Sequence, residues 1–260
     1  MSAAWAWRVA IGALALLVLA FLLAPMAAII PLSVAPTEVM RFPPEGFSLR
    51  WYEEIFTSGR WLLAARNSLV VAVATTVVAT TLGTLAALGL TLGRFRGKAV
   101  LIALFSLPIV TPSIVTAASV FLAFSLAGLS GTLAGLVLAH TVVAVPFVLI
   151  AVLAALKGFD MTLLRAAAAS GAPPHVAFRR VVVPLIAPGI LTGAVFAFAT
   201  SFDEFIITLF IAGPAQYTLP RQIYASVREF LSPAICAASV MLFLCSTVLL
   251  ALTSWARRRQ

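Results

Sequence analysis

Long apolar stretches with few charges alternate with short polar connections along this chain of 260 residues. A helix needs about 20 apolar residues to cross the hydrocarbon core of a bilayer, and each stretch is longer than that. The third and fourth stretches come from one uncharged run, which we divide at the Gly-Leu-Ser-Gly segment 128–131. The predicted spans are 9–35, 62–93, 99–127, 131–156, 187–212 and 232–256. The pattern predicts an all-α integral membrane protein with six transmembrane helices in a single domain, 1–260.

Composition supports the same class. Hydrophobic residues make up 63% of the chain, charged residues 10%, and the mean hydropathy is +1.14, far from the average of soluble domains. Arg8 followed by an apolar run is also compatible with a cleaved signal peptide, but the uncharged run is longer than a typical signal core. We therefore expect the first stretch to be a retained span of a multi-pass membrane protein.

Basic residues orient the predicted helices. With both termini cytoplasmic, the inner connections hold 11 basic residues and one acid, whereas the outer side holds six basic residues and five acids. This excess of Lys and Arg inside favours cytoplasmic N- and C-termini. The net charge of +9 is scattered beside the spans and not gathered on one face, so it indicates topology and not a nucleic-acid partner.

Candidate catalytic chemistry is sparse. The sequence has no P-loop, no metal-ligand spacing and no nucleophile beside a base, and its histidines are His140, in the fourth span, and His175. His140 is either hydrogen-bonded between helices or in contact with a transported ligand. Cys236 and Cys245 are about 13 Å apart along one helix, too far for a disulfide. The sequence predicts that the chain is not an enzyme.

The segment 157–189 concentrates charges, glycines and prolines between two spans. Asp160 is suited to cap a helix that runs to Ser170, and Gly171 to end it in a left-handed conformation. Pro173 and Pro174 suit the first turn of a second short helix, which we expect to end before Pro184. This predicts a helix, a tight turn and another helix, on which a soluble partner docks. A segment that lies on the membrane surface is the alternative.

The same segment resembles the coupling loop of type I ATP-binding-cassette importer permeases, the MetI-like family. Ala166, Ala167 and Gly171 match the A, A and G of the E-A-A, three residues, G motif, and Val183-Pro184 and Pro188-Gly189-Ile190 match its later positions. Further matches at 51–52, 67–69 and 201–205 extend the resemblance over nearly the whole chain. The resemblance implies that loop 157–186, between spans four and five, carries a coupling helix that docks on a separate ATPase. The implied coupling residues are Arg165, Ala166, Ala167, Gly171, Ala172, His175, Phe178 and Arg179.

One residue departs from the family. Position 165 holds Arg where the motif has Glu, so a positive charge replaces the acid that usually meets the ATPase. Either the ATPase surface differs, or a second and different permease keeps the acid, and we favour the second explanation. The resemblance implies as partners a dimer of ATPase subunits that bind ATP and Mg, this second permease, an extracytoplasmic solute-binding protein and the lipid bilayer. It implies no cofactor in this chain, and it implies a location in the bacterial inner membrane.

Asp203 and Glu204 are the ionisable acids deep in a predicted span, and intramembrane carboxylates point to function by default. With Ser201 they form a candidate substrate pathway suited to a cation. Alternatively, the two acids pair with an Arg of a neighbouring chain or cap a broken helix, with Ser201 helping. Segment 201–205 and the residues after it look most like permeases of spermidine and putrescine importers, which implies a polyamine substrate. Another small solute, such as an aminoethylphosphonate, and a secondary transporter remain as alternatives.

Overall fold

A computed structural model describes residues 3–160 and 162–258. Its regular structure over these residues is helical, as the apolar pattern predicts. The α-helices are α1 (Ala3–Ser33), α2 (Arg50–Thr57), α3 (Gly59–Leu92), α4 (Lys98–Val110), α5 (Ser113–Leu126), α6 (Leu133–Lys157), α7 (Thr162–Ala169), α8 (Pro174–Ala177), α9 (Val183–Phe202), α10 (Ile206–Ile211), α11 (Leu219–Glu229) and α12 (Pro233–Arg258). These residues group into two compact units, one of 3–62 with 222–247 and the other of 63–221 with 248–258.

Helix length decides which elements can cross a membrane. Four helical segments are long and apolar enough: Trp7–Ser33, Gly59–Leu92, Leu133–Lys157 and Pro174–Phe202. The pair α4 and α5 adds a fifth if both halves belong to one span. The described apolar part of α12, Pro233–Val248, is shorter than a span. The described residues thus support four or five of the predicted spans.

The predicted third span, 99–127, is two helices that meet at a bend of 107°. The bend falls at Thr111, which is extended (φ −74°, ψ 135°), followed by Pro112. A residue before proline avoids the α region because the proline ring crowds its backbone, and proline has no N–H to continue the ladder. The same residues that end α4 therefore redirect the chain.

The predicted division at 128–131 falls between the end of α5 and the start of α6. Gly128 and Gly131 have φ of +68° and +73°, where glycine carries no steric cost. Thr132 then caps α6, since its hydroxyl accepts a hydrogen bond from the Gly135 N–H at 2.9 Å. Local chemistry thus ends α5 and begins α6.

The core of the 63–221 unit is the close approach of α6 and α9. A Cβ at Gly193 would lie 2.9 Å from Val148 Cα, and one at Gly189 would lie 2.5 Å from Ala155 Cβ. Glycines at a helix interface let the backbones approach closely, which is how helices gain packing where lipid is as apolar as the side chains. Buried Val152 and Ile186 fill the same cluster. This contact fixes α9, and with it the residues on either side of α9.

Polar side chains tie α3 to the chain that follows α10. Asn67 Nδ2 donates to the carbonyls of Ala215 and Tyr217 at 2.9 and 3.0 Å, and the Ser68 hydroxyl accepts from the Leu219 N–H at 2.7 Å. Asn67 and Ser68 are buried. These bonds satisfy backbone groups of an irregular segment that would otherwise be costly to bury.

The other unit is built around α2. Trp51 is 5% exposed, and its indole N–H donates to the Ala35 carbonyl at 2.7 Å. The Tyr52 hydroxyl is 2.8 Å from the Ser33 hydroxyl. The adjacent aromatic residues therefore anchor α2 to the end of α1.

Candidate functional site

The predicted helix, turn and helix of segment 157–189 are present. The Asp160 carboxylate accepts the Thr162 N–H at 2.8 Å at the start of α7. Hydrogen bonds from the Thr162 hydroxyl and N–H lower the pKa of Asp160 below its ordinary value, and the charge of Arg165 contributes in the same direction. Gly171 has φ of +78° and ends the first helix, and Pro174 opens α8. The predicted local chemistry of these three residues is confirmed.

The end of the second helix differs from the prediction. Helical structure does not stop before Pro184 but passes from α8 through a π-helical turn, Phe178–Val182, into α9. In this turn the Val183 N–H bonds the Phe178 carbonyl. Proline is tolerated in the first turn of a helix because its missing N–H would lack an α-helical partner there, and a π turn changes the bonding register just before it. Helix α8 therefore continues without a break, through the π-helical turn, into α9.

Most predicted coupling residues lie on the surface of the segment. Those exposed are Arg165, Ala166, Gly171, His175, Phe178 and Arg179. Ala167 and Ala172 are half-buried, and the Ala172 N–H bonds the Ala167 carbonyl at 3.0 Å across the turn. The structure therefore places these residues together on the two short helices and their turn.

An apolar groove of about 410 Å³ lies beside these residues. Sequence reasoning did not identify it, because Leu92 at the end of α3 is remote in sequence from the other residues that line it. Its walls are Leu92, Leu164, Ala168, Ala172, Pro174, Ala177, Phe178 and Val182.

The predicted fifth span, 187–212, is interrupted at the two acids. Helix α9 ends at Phe202, and α10 begins at Ile206. The Glu204 carboxylate accepts a hydrogen bond from the Ile207 N–H at 2.9 Å. Glu204 therefore caps α10, which is one of the alternatives predicted from the sequence. Asp203 is exposed. The ion pairs within residues 3–160 and 162–258 are Arg50–Glu38 and Arg60–Glu229, which include neither acid.

A fully buried histidine holds both sides of this break. His140 Nδ1 is 2.9 Å from the Ser201 hydroxyl in α9, and Nε2 is 2.9 Å from the Thr208 hydroxyl in α10. A neutral imidazole has one donor and one acceptor nitrogen, and a hydroxyl can meet either. The interhelical interpretation of His140 is confirmed. Thr208 is not among the predicted site residues, since its only signal in the sequence is a hydroxyl within the apolar run of α10.

Ser201 therefore has a partner within the protein. Its side chain is 2% exposed and faces His140. Of the three predicted pathway residues, Asp203 is exposed, Glu204 caps α10, and Ser201 is buried in the hydrogen-bonded cluster. The structure brings the three residues to one helix break but gives each a different environment.

Comparison with known proteins identifies relatives of this chain. Residues 79–260 match the family of binding-protein-dependent transport system inner membrane components. The spermidine/putrescine transport system permease protein PotC of Escherichia coli K12 is 34% identical over 205 residues, 79% of this chain and 78% of that protein. The putrescine transport system permease protein PotI of the same organism is 32% identical over 243 residues, 91% and 85% of the two chains. The trehalose transport system permease protein SugB of Mycobacterium tuberculosis is 32% identical over 208 residues, 78% and 76%.

Solved structures share the fold at low identity. A chain of a bacterial ABC transporter that imports the acidic polysaccharide alginate matches with a TM-score of 0.76 and 15% identity, covering 98% of both chains. A chain of the inward-facing MetNI methionine ABC transporter matches with a TM-score of 0.59 and 18% identity, covering 78% of this chain and 99% of that one. With the family match over most of the chain, these likenesses show that the protein is an inner-membrane permease subunit of an ATP-binding-cassette importer and belongs to the binding-protein-dependent transport system inner membrane component family.

Proposed function

We propose that this permease subunit forms the pathway for a small organic cation of the polyamine class. The observation that carries the proposal is Asp203, an exposed carboxylate at the break between α9 and α10 with no ion pair in the described chain. A carboxylate within an apolar segment is costly unless it meets a cation or water. The names of PotC and PotI, which are spermidine and putrescine permeases, support the same sign of charge.

The three pathway residues have different roles in this proposal. Asp203 faces the substrate. Glu204 and Ser201 hold the break in place, through the α10 cap and the bond to His140. This division follows from which side chains already have partners.

The proposed topology has six spans with both termini in the cytoplasm. The bent pair α4 and α5 is then one span, and α12 supplies the sixth. The distribution of basic residues, 11 in the inner connections against six in the outer ones, supports this orientation. In the proposed topology, residues 1–260 form a single transmembrane domain.

Energy for transport comes from outside this chain in the proposal. The loop 157–186 docks on a dimer of ATPase subunits, which bind ATP and Mg, and α9 carries the motion of the loop toward the break at 203–205. The unbroken helical path from α8 to α9 supports this route. A second, different permease completes the pathway, and an extracytoplasmic binding protein delivers the substrate.

Uptake of radiolabelled spermidine and putrescine into cells that express the intact importer tests the pathway. We expect Asp203→Asn to slow uptake about 5- to 30-fold, because a charge at about 4 Å from a cation in a partly solvated site is worth on the order of 1–2 kcal/mol. Glu204→Gln is the matched control: its amide oxygen can still accept the Ile207 N–H, so uptake should change little.

Unchanged polyamine uptake by the Asp203→Asn variant, in a complex of normal abundance, would refute the proposed pathway role. Uptake of labelled trehalose but not of either polyamine by the unmodified importer would refute the proposed substrate class.

A further inference from the structure

The loop 157–186 presents an unusual combination of charge and shape. An apolar groove of about 410 Å³ is flanked by segments 93–98 and 157–182, which carry seven basic residues and one acid. We propose that this face docks on an acidic cleft of the ATPase, and that the cleft inserts one apolar side chain into the groove. The inference rests on the proposed function, in which an ATPase docks here, and adds the polarity and shape of its surface. Of the two explanations for Arg165, it takes the one in which the ATPase surface differs, because the charge and the groove of this chain both favour that explanation.

Charge is the first argument. The basic residues are Arg94, Arg96, Lys98, Lys157, Arg165, Arg179 and Arg180. The acid is Asp160, whose carboxylate already accepts the Thr162 N–H. A partner with basic residues at this surface would be repelled. A partner with carboxylates would associate faster and bind in a defined orientation, because its charge is complementary.

Arg165 is the central charge of α7. It is exposed, and exposed alanines at 166, 168 and 169 follow it in the same helix. Small side chains let a partner approach the helix closely, so that a carboxylate on the partner can reach the guanidinium, which offers a two-pronged donor. The position therefore selects an acid on the partner, opposite to what a glutamate here would select.

Shape is the second argument, and it separates a protein partner from a lipid surface. Anionic headgroups would also be attracted by the basic residues. A flat headgroup layer, however, does not fill a concave apolar groove, whereas a protruding side chain of a protein does. The groove is lined by aliphatic and aromatic carbon, and Phe178 at its edge is 38% exposed. An apolar anchor in a pocket with a charged rim is the usual anatomy of a protein interface.

The experiment measures binding of the importer's ATP-hydrolysing subunit to the full permease complex in nanodiscs of neutral lipid. Two variants test the two arguments: Arg165→Glu with Arg179→Glu reverses charge, and Ala168→Trp fills the groove. Arg8→Glu and Ala154→Trp are matched controls, because both residues are exposed and neither lines the groove.

We expect each test variant to weaken ATPase binding at least tenfold, the controls to stay within twofold, and wild-type affinity to fall as salt rises. Since the changed residues are exposed or line an open groove, size-exclusion profiles should match wild type. The milder Arg165→Gln variant should weaken ATPase binding by a smaller factor. It replaces the double charge reversal in the test if that variant does not assemble.

Three results would overturn the inference. ATPase binding that is unchanged or tighter after charge reversal would refute the acidic cleft, while the proposed coupling function would stand. Normal binding by Ala168→Trp would refute the apolar anchor. Loss of binding to phosphatidylglycerol vesicles without loss of ATPase binding would assign the basic residues to lipid. Failure of the wild-type complex to bind the ATPase at all would instead refute the proposed function.

Discussion

The buried cluster of His140 with Ser201 and Thr208 allows a quantitative test. His140→Phe keeps an aromatic ring of similar size but removes two hydrogen bonds of 2.9 Å at a site that is 0% exposed. Hydrogen bonds between helices of membrane proteins average about 0.6 kcal/mol and reach about 1.7 kcal/mol. We therefore expect the variant to lose about 1.2 kcal/mol, and at most about 3.4 kcal/mol, of its free energy of unfolding.

A double-mutant cycle isolates one of these bonds. His140→Phe, Ser201→Ala and their combination are compared with wild type by reversible unfolding in mixed micelles. The double variant should be more stable than the sum of the single changes implies, by about 0.6 kcal/mol, because removing both partners leaves no orphaned polar group. Thr81→Val is the control: the exposed Thr81 hydroxyl bonds only the Val77 carbonyl of its own helix. A coupling energy of zero within error would refute the reasoning.

Three further predictions concern local geometry. Gly171→Ala should destabilise the turn by about 1–2 kcal/mol, because φ is +78°, whereas Gly158→Ala, at φ −85°, should not; hydrogen exchange of the loop compares them. Gly193→Ala should lower unfolding stability by about 1–3 kcal/mol, since its Cβ would lie 2.9 Å from a neighbouring backbone carbon, while Gly89→Ala meets open space; detergent melting checks both. The pKa of Asp160 is lowered from its ordinary value of 3.8. The cap that this carboxylate forms is therefore present above pH 3.8 and is lost as the pH falls further. Amide exchange in α7 should accelerate in that acidic range, and Asp160→Ala should abolish this pH dependence.

Several features of the site follow from neighbouring residues in the sequence. The cap at Asp160, the left-handed turn at Gly171 and the helix start at Pro174 each depend on the backbone preferences of one residue and its next few neighbours. Such preferences act before any tertiary contact forms. The prediction failed at Pro184, because a π turn changed the bonding register ahead of it.

Contacts between distant residues could not be predicted in this way. His140 lies 61 and 68 residues from its two partners, and Leu92 joins a groove whose other walls begin at Leu164. The spacing of apolar residues shows that a helix is apolar, but it does not show which neighbouring helix each face contacts. Where a helix is apolar on all sides, the sequence does not indicate any of these contacts.

The sequence by itself determined that this protein consists largely of long apolar helices, with a charged segment at 157–189 between two of them. Runs of apolar residues can be stable in lipid only if each backbone group bonds within its own helix, and this requirement is local. Tertiary structure decided where the predicted fifth span breaks, which side chains hold the break, and how the segment before α9 continues into that helix. These outcomes depend on the close approach of α6 and α9 at Gly189 and Gly193, and packing between distant segments sets that approach.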